Sequence, residues 1–273
     1  MITSNKNSVL PSGEIKRGLS IVKIGGNVIE NKAELAKFLT FFSQLKGAKI
    51  LVHGGGKLAT QLAAKLGIES QMVNGRRVTD AKSLEIITMV YGGLTNKNIV
   101  ASLQAYGTNA IGLSGADGNA IQAHKRPVKE VDFGFVGDID GINASFLDTL
   151  IASGVTPVFC ALSHDGKGNI LNTNADTIAS EVAIGMSEIY ETTLYYCFEK
   201  KGVLLDTKDE NSVVTDINTS KYQELLDQKI IADGMLPKLE NCFHALHNNV
   251  NKVCLGDIEM IQPNAKLFTS ITL

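Results

Sequence analysis

From Leu19 onward, short β-rich runs alternate with stretches of helical periodicity. Ser20–Ile24 reads as a buried strand closed by the turn Gly25-Gly26-Asn27. Asn31–Leu45 then sets Leu35, Phe38, Leu39, Phe42 and Leu45 at helical spacing. Lys49–Val52 is a second strand, His53-Gly54-Gly55-Gly56 a second glycine turn, and Leu58, Leu62, Ala63 and Leu66 mark a second helix. Strand, glycine turn and helix, twice over, predict βαβ units and a largely parallel sheet.

Further along, Asn74-Gly75 between Met72-Val73 and Arg77-Val78 predicts a hairpin turn. A long helix is expected over about Ala81–Leu103, short strands over Ala110–Leu113 and Ile121–His124, and another hairpin around Phe133–Ile139. The unbroken apolar run Val155–Leu162 predicts a central strand. Asn174 is placed to cap a helix running to about Ile184. Strand Thr193–Cys197, helices Ser220–Leu226 and Leu236–Leu246, and strand Lys252–Leu255 complete the alternation.

Composition narrows the classes. The 273 residues carry 26 basic and 28 acidic side chains, a formal charge of −2, which argues against nucleic acid as the main partner. No apolar run approaches the roughly 18 residues needed to span a bilayer. Residues 1–18 read as a polar extension without the apolar core of a signal peptide, so a cytoplasmic location is expected. Cys160, Cys197, Cys242 and Cys254 form no C-x-x-C pair, which predicts small buried hydrophobes in a reducing compartment and no zinc site. Glycine is in excess, 26 residues against about 7% on average, and it clusters at strand ends.

The candidate chemistry sits at those ends. Neither a P-loop nor a G-x-G-x-x-G fingerprint occurs, so the glycines must serve another anion. Lys23 precedes the Gly25-Gly26 turn, where glycine admits a phosphate to the backbone and a helix start offers N–H donors. A plain strand–helix turn explains the same residues. Gly54-Gly55-Gly56 reads as an anion nest or as a cramped packing turn, with His53 a strand-end histidine rather than a catalyst. Arg76 and Arg77 face opposite ways on a strand, so one can hold a carboxylate bidentately, or both can sit at the surface. Asn174 and Asp176 fit capping and dipole roles; Asn172 does not. Lys238 falls in the first turn of a helix, where the dipole disfavours a cation unless an anion shares the site.

Taken together, Val22-Lys23-Ile24-Gly25-Gly26, His53-Gly54-Gly55-Gly56, Asn74-Gly75-x-Arg77-Val78-Thr79, Asn172-x-Asn174-Ala175-Asp176 and Gly234-Met235-x-x-Lys238 resemble the amino acid kinase family. The motifs run in family order from about Leu19 to Leu273, and the branch acting on N-acylated glutamate is the most similar. The resemblance implies a three-layer αβα sandwich with a mainly parallel sheet, the carbamate kinase-like fold. It implies one domain over 19–273, with a lobe for the amino-acid substrate to about 171 and an ATP lobe from about 172. The implied reaction moves the γ-phosphate of ATP, carried with Mg²⁺, onto the side-chain carboxylate of N-acetyl-L-glutamate or a relative such as N-succinylglutamate, in arginine biosynthesis.

Carried over by position, Lys23 and Lys238 contact the moving phosphoryl group and Asp176 orients both. Gly25 and Gly26 donate backbone N–H groups to it, as do Gly54 and Gly55 from the second turn, while Arg77 and Asn172 hold the acceptor's α-carboxylate and its neighbouring groups. Phe198-Glu199 stands where the family carries Ser-Asp, in a region implied for nucleotide recognition, with Glu199 the candidate there. Because the extension lacks an amphipathic helical pattern, a homodimer without arginine feedback is expected. The competing expectations are an aspartate, glutamate, carbamate or UMP kinase, or a non-catalytic metabolite sensor on the same fold.

Overall fold

A computed structural model of the protein describes residues 16–73, 76–231 and 235–273. The expected N-terminal extension up to residue 15, the turn Asn74-Gly75 and Gly234 lie outside the described residues. In chain order the strands are β1 (Arg17–Ile24), β2 (Ala48–His53), β3 (Met72–Val73), β4 (Arg76–Arg77), β5 (Ala110–Leu113), β6 (Ile121–Lys125) and β7 (Gly137–Ile142). There follow β8 (Thr156–Cys160), β9 (Leu162–His164), β10 (Ile170–Asn172), β11 (Tyr190–Cys197), β12 (Asp216–Ile217), β13 (Lys252–Gly256) and β14 (Thr269–Ile271). The helices are α1 (Gly26–Glu30), α2 (Lys32–Gln44), α3 (Gly56–Lys65), α4 (Ala81–Thr88), α5 (Asn96–Ala105), α6 (Ala144–Ala152), α7 (Ala175–Met186), α8 (Thr219–Asp227) and α9 (Leu236–His247).

The main sheet runs β12-β14-β13-β11-β1-β2-β8-β5, and among these strands only β13 and β14 pair antiparallel. Its central strands are buried on both faces, so Ile21 of β1 goes into one apolar layer and Val22 into the other. One layer packs Val22, Ile24 and Leu51 against Phe38, Leu39 and Phe42 of α2 and Ile99 and Leu103 of α5. The opposite layer packs Ile21, Ile50 and Val52 with Ile178 and Val182 of α7 and Leu239 of α9. The result is the αβα sandwich. α2 starts where the sequence indicates, because the Asn31 side chain accepts from the N–H groups of Ala33 and Glu34. All four cysteines are buried and unpaired.

The topology places a crevice. After β1 the chain lays down β2, β5 and β8 on one side, in the spatial order β2-β8-β5, whereas β12, β13 and β14 follow β11 on the other. The order therefore reverses between β1 and β11, and open α/β sheets bind ligands outside the carboxyl ends of strands at such a switch point. Ile24, His53 and Cys197 lie level at those ends.

Three readings change. β1 begins at Arg17, so the last two residues of the expected extension belong to the sheet. The apolar run Val155–Leu162 is two strands: β8 sits one place from the sheet edge, and past Ala161 the chain crosses into a second sheet, β10-β9-β6-β7. Both pieces are buried, so hydrophobicity does not mark the crossing. There is no hairpin around Phe133–Ile139; β7 pairs antiparallel with β6, and Phe133–Phe135 runs beside Thr79 instead. Gly134 makes this close approach with φ of +71°, and a Cβ there would collide with the Thr79 carbonyl.

Candidate active site

Lys23 is the penultimate residue of β1 and only 8% exposed. Asp176 is the second residue of α7, whose cap Asn174 accepts from the Asp176 and Thr177 N–H groups at 2.7 and 3.1 Å. This seats a carboxylate at a helix N-terminus, where the dipole favours it. Lys23 Nζ stands 2.7 Å from Asp176 Oδ1, and Lys238 Nζ stands 3.3 Å from Oδ2. Lys238 lies in the first turn of α9, against the dipole, so the carboxylate supplies the anion that its position requires. Burial raises the Asp176 pKa, and the charges of Lys23 and Lys238 more than reverse this, holding it at about 2. Two ammonium groups share one carboxylate, which leaves the cluster with a net positive charge ready for an anion.

The glycine turns frame this cluster in different ways. The Gly25 N–H is donated to the Cys197 carbonyl at 3.2 Å, so in this structure it is engaged within the protein. A Cβ at Gly25 would lie 3.6 Å from that carbonyl and 4.0 Å from Lys23 Nζ, ordinary contact distances, which places the turn beside the Lys23 ammonium. Gly26 opens α1, where the first N–H groups have no intrahelical acceptor. A Cβ on Gly54 would meet Ala175 of α7 at 3.8 Å, so the second turn borders the helix that carries Asp176. Gly55 lies against the ring of Tyr91, on a π-helical stretch Met89–Thr95, and a Cβ there would come within 2.9 Å of it.

His53 supports this turn as a neutral ring. It is fully buried; burial lowers its pKa to about 4, Nδ1 donates to the Gly54 carbonyl at 2.8 Å, and Nε2 accepts from Asn96 Nδ2 at 3.0 Å.

Arg77 and Asn172 form a second group. Arg77 Nη2 donates to the Gly56 carbonyl at 2.9 Å and to Thr60 Oγ1 at 2.7 Å, clamping the hairpin onto the start of α3. Asn172 Nδ2 donates to Thr79 Oγ1 at 3.0 Å. Arg76 is exposed, as the alternation on β4 predicts. Glu199 is exposed and has no ion pair or side-chain hydrogen bond among the described residues.

Two neighbours, Lys57 and Tyr196, were not selected from the sequence, and Phe198, noted there only as a departure from the family pattern, joins them. Lys57, in the first turn of α3, bonds Asn27 Oδ1 and lies 3.6 Å from Glu30 Oε2, spanning the two glycine turns. The dipole argument that singles out Lys238 applies equally to it. The Tyr196 hydroxyl donates to the Asp176 carbonyl at 3.1 Å, and Lys238 Nζ lies 5.7 Å from the centre of the Phe198 ring.

Comparison with known proteins identifies the family. Residues 18–257 match the amino acid kinase family. The chain belongs to that family. It is 56% identical over 241 residues to an acetylglutamate kinase of Phocaeicola vulgatus, covering 88% of this chain and 94% of the relative. It is 53% identical to one of Bacteroides thetaiotaomicron, over 92% of this chain and 97% of the relative. A crystal structure of a protein from Streptococcus mutans UA159 superposes with a TM-score of 0.74 at 25% identity, covering 93% of this chain and 98% of the other.

Proposed function

We propose that the protein transfers the γ-phosphate of ATP to the side-chain carboxylate of N-acetyl-L-glutamate, giving the acyl phosphate in arginine biosynthesis. The observation that carries this reading is the Lys23–Asp176–Lys238 cluster at the switch point of the sheet. The high identity to enzymes named acetylglutamate kinase supports the choice of acceptor.

The chemistry suits the residues. An acceptor carboxylate has a pKa of about 4.3 and is already ionised near neutrality, so no general base is required. One carboxylate oxygen forms a bond to the γ-phosphorus as the bond to the bridging oxygen of the leaving diphosphate breaks, and the electron pair departs with ADP. The obstacle is repulsion between anions and charge on the phosphoryl oxygens. Lys23 and Lys238 meet that charge from two sides, and Asp176 fixes both heads without neutralising them. Gly26 and the Gly54-Gly55 turn offer backbone N–H groups; Arg77 and Asn172 hold the acceptor's polar groups. We place the acceptor in the lobe up to about residue 171 and ATP in the lobe from about 172. Magnesium supplies further charge neutralisation when it arrives on the nucleotide's phosphates; among the described residues no group of three His, Cys, Asp or Glu side chains is gathered to hold a metal.

We further propose a cytoplasmic homodimer. Buried unpaired cysteines support a reducing location. β5 is a sheet edge with Ile111 37% exposed, and Met89 and Leu94 are also exposed apolar side chains, a combination that a second copy would cover.

The test is acceptor profiling with ATP against N-acetyl-L-glutamate, N-succinyl-L-glutamate, glutamate, aspartate, carbamate and UMP. N-Acetyl-L-glutamate is expected to give the highest kcat/KM. Turnover confined to an acceptor without an acyl-glutamate skeleton, or ATP binding with no turnover at all, would remove the proposal.

A further inference from the structure

Phe198 is the first residue past β11, directly beyond the strand end that receives the Gly25 N–H. Its own N–H is donated to the Gly256 carbonyl at 2.9 Å, and the residue is 9% exposed, so ring and backbone are both fixed. Lys238 Nζ stands 5.7 Å from its ring centre, within the range of a cation–π contact. The other described partner of that ammonium is Asp176 Oδ2 at 3.3 Å, a long contact to a carboxylate already committed to Lys23 at 2.7 Å. Lys238 thus has half of one anion, a position against its helix dipole, and one aromatic ring.

We propose that Phe198 is a positioning residue for Lys238, holding the ammonium over its ring so that its charge stays available to the phosphoryl group. The physical distinction is between the two ways to hold a cation. A second carboxylate would fix Lys238 and also cancel its charge, which would leave the cluster neutral and weaken it for an incoming anion. The ring face attracts the ammonium through its quadrupole and carries no net charge, so the cluster keeps its positive excess. Phe198 makes no contact with the reacting atoms in this scheme; it acts through Lys238.

This inference rests on the proposed kinase reading for its kinetic arm and on geometry alone for its spectroscopic arm. In the full-length enzyme, Phe198→Leu keeps an apolar side chain of similar bulk and removes the ring, while Phe198→Tyr keeps the ring. A cation–π contact at a largely desolvated site predicts that Leu lowers kcat by about three- to thirtyfold with the KM for the acceptor unchanged, and that Tyr stays near wild type. Fluorinated phenylalanines at 198 preserve shape and should lower kcat stepwise with each fluorine.

For the second arm, lysines are reductively methylated with ¹³C and the Lys238 signal is assigned by its loss in Lys238→Arg. Ring current should shift that signal upfield in wild type and not in Phe198→Leu. Equal kcat in wild type and the Leu variant, a flat fluorine series, or a Lys238 signal without the ring-dependent shift would each overturn the proposal. A wild-type enzyme that turns over no acylglutamate, yet shows the shift, would count against the kinase reading and leave the clamp standing.

Discussion

Asp176 Oδ1 lies 2.7 Å from Lys23 Nζ, so a residue at the end of the first strand and one at the start of a helix far along the chain meet as an ion pair. The carboxylate is held at about 2 instead of 3.8, and the sign of the linkage follows. A depressed folded-state pKa contributes stability above the unfolded value, and that contribution is lost as pH falls from about 3.8 toward about 2. Asp176→Asn removes it and leaves two ammonium groups facing each other. The difference in Tm between wild type and this variant is expected to be largest near pH 7 and to shrink steadily through that acid window. A gap that is constant with pH would contradict the ion-pair account.

Arg77 and Asn172 are assigned to the acceptor. Losing a hydrogen bond to a charged group costs about 1.5–3 kcal/mol, or roughly ten- to hundredfold in an equilibrium. Arg77→Ala and Asn172→Ala should therefore raise KM for the acylglutamate by about that factor, with KM for ATP little changed. Steady-state kinetics varying each substrate separately makes the comparison. A rise confined to ATP would move both residues to the other lobe.

Gly55 is a glycine because the Tyr91 ring occupies the space a Cβ would need. Gly55→Ala should force Tyr91 and the π-helical stretch to shift, at the 1–3 kcal/mol typical of overpacking, and lower Tm accordingly. Gly55→Ala combined with Tyr91→Leu should recover part of the loss. Thermal unfolding of the two variants checks this, and an unchanged Tm in the single variant would mean that the turn tolerates a side chain.

The exposed edge of β5 carries the dimer proposal. Ile111→Lys places a charge on that edge, a device by which natural sheets block pairing. Sedimentation at micromolar concentration should show wild type at twice the chain mass and the variant shifted toward one chain. Two species of equal mass would place the interface elsewhere.

Much of the fold was legible in the sequence because period and punctuation agreed. β2 and its glycine turn, the cap at Asn174 and the helix carrying Lys238 all announced themselves locally. What failed was the crossing between sheets: Ala161 marks it only by backbone pairing, and Phe133–Phe135 follows Thr79 across a long loop. For the candidate site, spacing identified Lys23 and Lys238 separately, but their meeting on Asp176 is a property of strand order, visible beforehand only through family resemblance. The engaged Gly25 amide and the Phe198 ring over Lys238 are tertiary facts with no local signature.

The central claim is that two lysines converge on one migrating phosphoryl group, and a single-turnover measurement reaches it most directly. Enzyme in excess is mixed with α-³²P-ATP and ¹⁴C-labelled N-acetyl-L-glutamate, and hydroxylamine displaces phosphate from the acyl phosphate to leave the hydroxamate. Wild type should form hydroxamate in step with ADP, while Lys23→Met and Lys238→Met, each folded by circular dichroism, should fall by about a hundred- to thousandfold. Either variant transferring phosphate at the wild-type rate would contradict the account.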